Sequence, residues 1–171
     1  MEKVIAKECK KSVPFTPHFF KVLAPIKLHT STHLEIYSAS TESELPIPLV
    51  SAGISAGFPS PASDFIDLKI DLNKYLIQQP SATFFARVKG DSMKDEGIQD
   101  GDLLVIDRSI EPIDGKIAVC FIDGDFTVKK IKLEKGTCWL MPANDNYQPI
   151  KVTSENELMI WGVVTHVIKS F

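Results

Sequence analysis

Residues 116–133, KIAVCFIDGDFTVKKIKL, decide how this chain folds. Two runs rich in β-branched and aromatic residues flank Asp-Gly-Asp, and an Asp-Gly step between such runs is a strong local signal for a β-hairpin. In the second run, strand alternation puts Thr127, Lys129, Ile131 and Leu133 on one face, with Phe126, Val128, Lys130 and Lys132 on the other. Lys129 therefore shares a face with two apolar residues, while Lys130 and Lys132 keep each other company. The same pattern also fits a strand with both faces half exposed and all three lysines solvated.

The same texture continues on both sides of the hairpin. ATFFARVK, DLLVID, TCWLM and LMIWGVVTHVI are further short runs of strand-forming residues. They are separated by turn signals at Gly101-Asp102, Pro112, Asp114-Gly115, Lys135-Gly136 and Asn144-Asp145-Asn146. Ahead of them, DLNKYLIQQ predicts a helix with Asp71 as its N-cap and Leu72, Tyr75 and Leu76 on one face. The expected fold is mostly β: short twisted strands with one early helix, over residues 57–171. Residues 1–56 contain scattered prolines and lysines and a Ser/Thr/Glu stretch, STHLEIYSASTESELP, in which neither apolar period runs for long. They are expected to form an extended or partly disordered N-terminal arm, with Leu34, Ile36 and Val22-Leu23 as candidates for short strands. Neither helix-turn-helix periodicity nor a basic recognition helix is evident there, so direct sequence-specific DNA binding is not expected.

Bulk composition excludes several classes. The chain has 171 residues, 44% hydrophobic and 24% charged, which is enough for one substantial core. Its net charge of −3 gives no global field toward nucleic acid or anionic membrane. Cys9, Cys120 and Cys138 are an odd set without C-x-x-C spacing, which suits a reducing compartment better than a disulfide framework or zinc site. The four histidines show no metal-ligand spacing, so neither metal nor cofactor is expected. No apolar run approaches a membrane span and the N-terminus lacks a signal-peptide core, so a cytoplasmic protein with no membrane partner is expected.

In KGDSMKDEGIQDGDLLVID, Ser92 lies after a strand in a glycine-flanked turn. A turn serine ordinarily hydrogen-bonds its own backbone. To act as a nucleophile it needs a base, and no histidine is nominated by a motif; His166 sits inside an apolar strand. Lysine can serve only when neutral. At its ordinary pKa about one lysine in 2,500 is deprotonated at pH 7, so a lysine base has to be buried.

The run GFPSPASDFIDLKIDLNKYLIQQPSATFFARVKGDSMKDEGIQDGDLLVID, followed by DGDFTVKKIKL, MPANDNYQPI and WGVVTHVIK, resembles the UmuD branch of the LexA-like self-cleaving serine peptidases. The resemblance covers about residues 53–171. It implies that the serine of G-D-S-M, Ser92, is the nucleophile and that the first lysine of T-V-K-K, Lys129, is the general base, in agreement with the strand-face argument. It also implies self-cleavage before the glycine of G-F-P-S-P, between Ala56 and Gly57. In SAGISAGFPSPAS, residues 51–63, small side chains allow an extended backbone to lie close against a nucleophile, and Ala52–Gly53 is a secondary candidate bond. Ala-Gly at the cut is the LexA and phage-repressor style, whereas UmuD is usually cut at Cys-Gly. By the same resemblance the expected partners are a second copy of the chain in a homodimer, the RecA filament on single-stranded DNA that stimulates cleavage, and a UmuC-type translesion DNA polymerase that takes up the processed subunit. The alternative role is a LexA or phage-repressor type regulator inactivated by cleavage. The arm is longer than the usual UmuD arm, and its first 45 residues match nothing in that branch.

Overall fold

A computed structural model describes residues 27–30, 34–39, 46–49 and 68–171. Ala56, Gly57, the alternative bond at Ala52–Gly53 and the candidate strand at Val22-Leu23 lie outside the described residues. The described residues fall into two compact units, one comprising 27–39 with 79–171, the other 46–49 with 68–78.

The smaller unit pairs strand β3 (Pro46–Leu49) antiparallel with β4 (Leu68–Asp71), which runs into helix α1 (Leu72–Leu76). The Asp71 side chain caps the helix by accepting from the Asn73 and Lys74 amides, as expected for this residue. The helix is shorter than the periodicity predicts, and the expected face does not form a buried stripe: Leu72 and Tyr75 are exposed. A single-turn helix has too few residues to develop an apolar stripe, so its cap decides its position.

The larger unit is an antiparallel sheet in the order β1-β2-β5-β6-β11-β7-β8-β9-β10. Its strands are β1 (Lys27–Thr30), β2 (Leu34–Ser38), β5 (Thr83–Val88), β6 (Leu103–Asp107), β7 (Ile117–Ile122), β8 (Asp125–Glu134), β9 (Thr137–Met141), β10 (Ile150–Lys151) and β11 (Leu158–Ile168). All six strands expected from the apolar runs are present. The β7–β8 hairpin closes on Asp123 and Gly124, both at positive φ, the conformation that the two-residue Asp-Gly turn favours.

β7 explains why IAVCFI is apolar throughout. Val119, with Ile117 and Phe121 packed beside it, faces one cluster that includes Phe84, Val88, Leu104, Phe126 and Val128. Ala118, Cys120 and Ile122 face a second cluster with Ile131, Cys138 and Leu140. A strand buried on both faces cannot alternate polar and apolar residues. β11 crosses from β7 to β6, and its register shifts at Ile160/Gly162 and again at Val164/His166. Such bulges bend a long strand and increase its twist. At the first bend a Cβ on Gly162 would lie 2.6 Å from the Ile106 side chain, so glycine is what permits the close crossing.

The N-terminal arm supplies more than loose chain. Leu34 and Ile36 form a strand, as expected, and it is an integral one: β2 lies between β1 and β5, with both residues in the first cluster.

Candidate active site

Ser92 is held in a short segment between β5 and β6. After Val88 ends β5, Gly90 adopts φ +93, a conformation that side-chain-bearing residues rarely take, and its amide donates to Asp100 Oδ1 at 2.7 Å. Asp91 and Ser92 follow. Met93, buried in the first cluster, then begins a 3-10 turn over Lys94–Glu96 that ends at Gly97. The buried Met93 side chain anchors the turn and leaves the half-buried Ser92 at its outer end.

β8 brings Lys129 to this point. Its side chain is 6% exposed, in line with the face shared with Ile131; Leu133 on that face is exposed, because the sheet's cover ends there. Lys129 Nζ lies 2.9 Å from Ser92 Oγ, 2.9 Å from Thr127 Oγ1 and 2.9 Å from the Val128 carbonyl oxygen. Burial pushes the Lys129 amine below the ordinary lysine range, and it outweighs the opposing influence of Cys120. Lys130, the neighbour on the other face, is much more open and pairs with Glu96 at 2.7 Å.

The three contacts match the three donors of an ammonium, and in the neutral amine they leave one proton arrangement that prepares the serine. A neutral amine has two N–H donors and one lone pair. The Val128 carbonyl, which can only accept, takes one N–H, and the Thr127 hydroxyl oxygen takes the other. The lone pair is left for the hydroxyl proton of Ser92, so the arrangement can withdraw that proton as the oxygen attacks an electrophile.

A second cluster fixes the serine turn from outside. The buried Asn144 Nδ2 donates to the Asp91 carbonyl oxygen at 3.0 Å and to Asp91 Oδ2 at 3.1 Å. Tyr147 donates from its hydroxyl to Asp91 Oδ1 at 2.6 Å. This bond holds the Asp91 carboxyl below the usual carboxylate range and raises the Tyr147 hydroxyl. The backbone is stitched as well: the Ala143 amide donates to the Ser92 carbonyl at 2.8 Å, and the Asp95 amide to the Ala143 carbonyl at 2.9 Å. Ser92 and Lys129 line a cleft of about 430 Å3 with Lys89, Gly90, Thr127, Tyr147 and Ile150 among its walls. A space of that size accepts a stretch of extended peptide.

Residues 48–165 match the Peptidase S24-like family, and this span is more than half of the chain. The chain belongs to the S24 peptidases. It is 47% identical over 121 residues to Protein ImpA of Escherichia coli, covering 71% of this chain and 82% of that protein. Identity to Protein MucA of Salmonella typhimurium is 44% over 135 residues, 78% of this chain and 92% of the relative. A LexA repressor from Alcanivorax borkumensis is more distant, 36% identical over 146 residues, 84% of this chain and 70% of the repressor. The S24 chain described here is thus a UmuD-like member, a self-cleaving serine peptidase of the SOS-mutagenesis group.

Of the residues singled out in the sequence, the fold brings Ser92 and Lys129 into contact, while Ala56 and Gly57 lie outside the described residues. His166 lies in β11 with Nδ1 3.1 Å from Thr165 Oγ1, away from the S24 cleft. Sequence reasoning missed Thr127, Asp91, Asn144 and Tyr147 as parts of the site. Their signals were present: Thr127 precedes Lys129 by one strand period, Asp91 stands in G-D-S-M, and Asn144 and Tyr147 belong to MPANDNYQPI, which entered only as a turn cluster and as part of the resemblance. Among the described residues no group of His, Cys, Asp or Glu could hold a metal, and no helix is long and apolar enough to cross a membrane.

Proposed function

We propose that Ser92 and Lys129 act as nucleophile and general base in cleaving the chain's own Ala56–Gly57 bond. The observation that carries this reading is the 2.9 Å contact between Lys129 Nζ and Ser92 Oγ, beside two further acceptors, Thr127 Oγ1 and the Val128 carbonyl, that can take both hydrogens of the neutral amine. Neutral Lys129 takes the Ser92 hydroxyl proton as Oγ bonds to the Ala56 carbonyl carbon. Backbone amides around Ser92 are the natural donors to the oxyanion that forms. The Lys129 ammonium returns its proton to the Gly57 nitrogen as the peptide bond breaks, leaving an ester between Ser92 and Ala56. A water molecule, deprotonated by Lys129, then hydrolyses the ester. Because nucleophile and bond belong to one chain, or to two chains of one dimer, a high effective concentration favours the reaction.

In this reading the fraction of time the scissile segment occupies the cleft sets the rate, and a RecA filament on single-stranded DNA raises that fraction. The processed residues 57–171 form a homodimer in the cytoplasm and join a UmuC-type translesion DNA polymerase, with no sequence-specific DNA binding. The identity to ImpA and MucA, higher than to the LexA repressor, supports this assignment over the repressor role.

Purified chain incubated at alkaline pH, or with activated RecA filament, tests the cleavage by intact mass. A fragment beginning at Gly57 is expected. A fragment beginning at Gly53 moves the cut to the alternative bond, and an intact chain under both conditions overturns the reading. Nanomolar, operator-specific DNA binding that vanishes on cleavage would install the repressor role.

A further inference from the structure

The chain's own N-terminal segment is built into the sheet that carries Ser92. β2 pairs with β5 over its whole length, from Leu34 opposite Val88 to Ser38 opposite Phe84. Leu34 and Ile36 are 0% and 1% exposed and share a cluster with Val88, Met93, Ile98 and Leu104. Glu35, on the alternate face, pairs with Lys89 at 3.6 Å and accepts from the Tyr37 hydroxyl at 3.0 Å. β1 pairs in turn with β2. Yet both strands precede the bond proposed for self-cleavage, so that cut severs them covalently from the sheet they complete.

We infer that the excised N-terminal segment stays docked on the peptidase body, with β2 as the anchor, so that self-cleavage yields a two-chain complex. This inference rests on the proposed cut only for the identity of the two chains, since the docking itself follows from β2. Releasing the segment would expose the backbone edge of β5 and the apolar partners of Leu34 and Ile36 at once. It would also remove packing from the cluster that seats Met93, the residue after Ser92. Strand pairing and side-chain burial here are those of an ordinary internal strand, and neither depends on the peptide bond at Ala56. The contrast with a loosely attached arm is physical: an arm on the surface leaves by diffusion after the cut, whereas β2 must break a ladder and empty two buried sites.

The test uses the full chain, allowed to cleave itself and then examined by native and denaturing mass spectrometry and by size-exclusion chromatography at micromolar concentration. The expected result is two peptides under denaturing conditions but one native species, heavier than the uncut chain by one water per chain. Complete cleavage with the two pieces eluting apart overturns the inference. A second form carries a specific-protease site inserted between Glu42 and Ser43 and is nicked externally, so it reports docking whether or not the chain cuts itself. If self-cleavage fails while this nicked form holds together, the cleavage reading falls and the docking stands. If the nicked form separates, the docking falls. Ile36→Ala in the nicked form is expected to weaken retention by roughly 30-fold or more, as for a truncated buried aliphatic residue. Unchanged retention in that variant would overturn β2 as the anchor.

Discussion

Thr127→Val isolates the role of the hydroxyl that accepts from Lys129. The substitution keeps the β-branched shape and the strand preference but removes the oxygen 2.9 Å from Nζ. One of the two amine hydrogens then has no partner unless it turns toward Ser92, and that turn takes the lone pair away from the serine proton. An unsatisfied buried donor costs about 1–3 kcal/mol, or about 5- to 150-fold in rate if the cost falls on the productive geometry. Thr127 is only half-buried, and water can partly replace it, so about a 10-fold loss of plateau rate is expected. The pH profile supplies the more diagnostic readout. Hydrogen bonds to an ionised donor are stronger than neutral ones, so removing the acceptor destabilises the ammonium more than the amine. The Lys129 pKa, already pushed down by burial, falls further, and the midpoint of the rate profile moves to lower pH. The assay is the first-order rate of self-cleavage from neutral to alkaline pH, followed by intact mass, beside Thr127→Ser. The serine variant retains the hydroxyl and is expected to cleave close to the wild-type rate with an unmoved midpoint. A Thr127→Val protein with wild-type rate and midpoint, or a midpoint displaced upward, would refute the reasoning.

Lys129→Met is expected to cleave nothing yet unfold at or above the wild-type temperature at neutral pH. A lysine whose folded pKa is depressed binds fewer protons folded than unfolded, so its penalty is absent above the unfolded pKa, near 10.4, and grows as pH falls toward the folded one. Thermal denaturation from neutral to alkaline pH checks this, and a large loss of stability in the variant contradicts it. Lys130→Ala removes a partly exposed pair with Glu96 and is expected to change stability by less than about 1 kcal/mol while retaining most of the cleavage rate; an inactive Lys130→Ala would reverse the assignment of strand faces. Asn144→Ala strips two bonds from Asp91 and is expected to cost about 1–3 kcal/mol of stability and to slow cleavage more than Tyr147→Phe, whose bond is at the surface. Equal rates in the two variants would show that the buried amide does not govern the serine turn.

The Asp71 cap, the Asp123-Gly124 turn and the alternation along β8 are written in neighbouring residues, and they were legible without coordinates. So was the side of β8 from which Lys129 projects, because strand geometry turns position along the chain into direction. Composition could not say whether that side was covered. Cover comes from β7, β9 and the second apolar cluster, and it makes Lys129 a buried amine while Leu133 on the same face meets solvent. Likewise, the capacity of Leu34 and Ile36 to form a strand was visible, but their place beside β5 required partners 50 or more positions along the chain. The serine turn depends on contacts of the same kind: Ser92 meets Lys129 across 37 residues, and Asp91 meets Tyr147 across 56. Local residue types determined which elements could form and which face each side chain took. Only the tertiary structure decided which faces lost water, and desolvation is what lowers the pKa of Lys129.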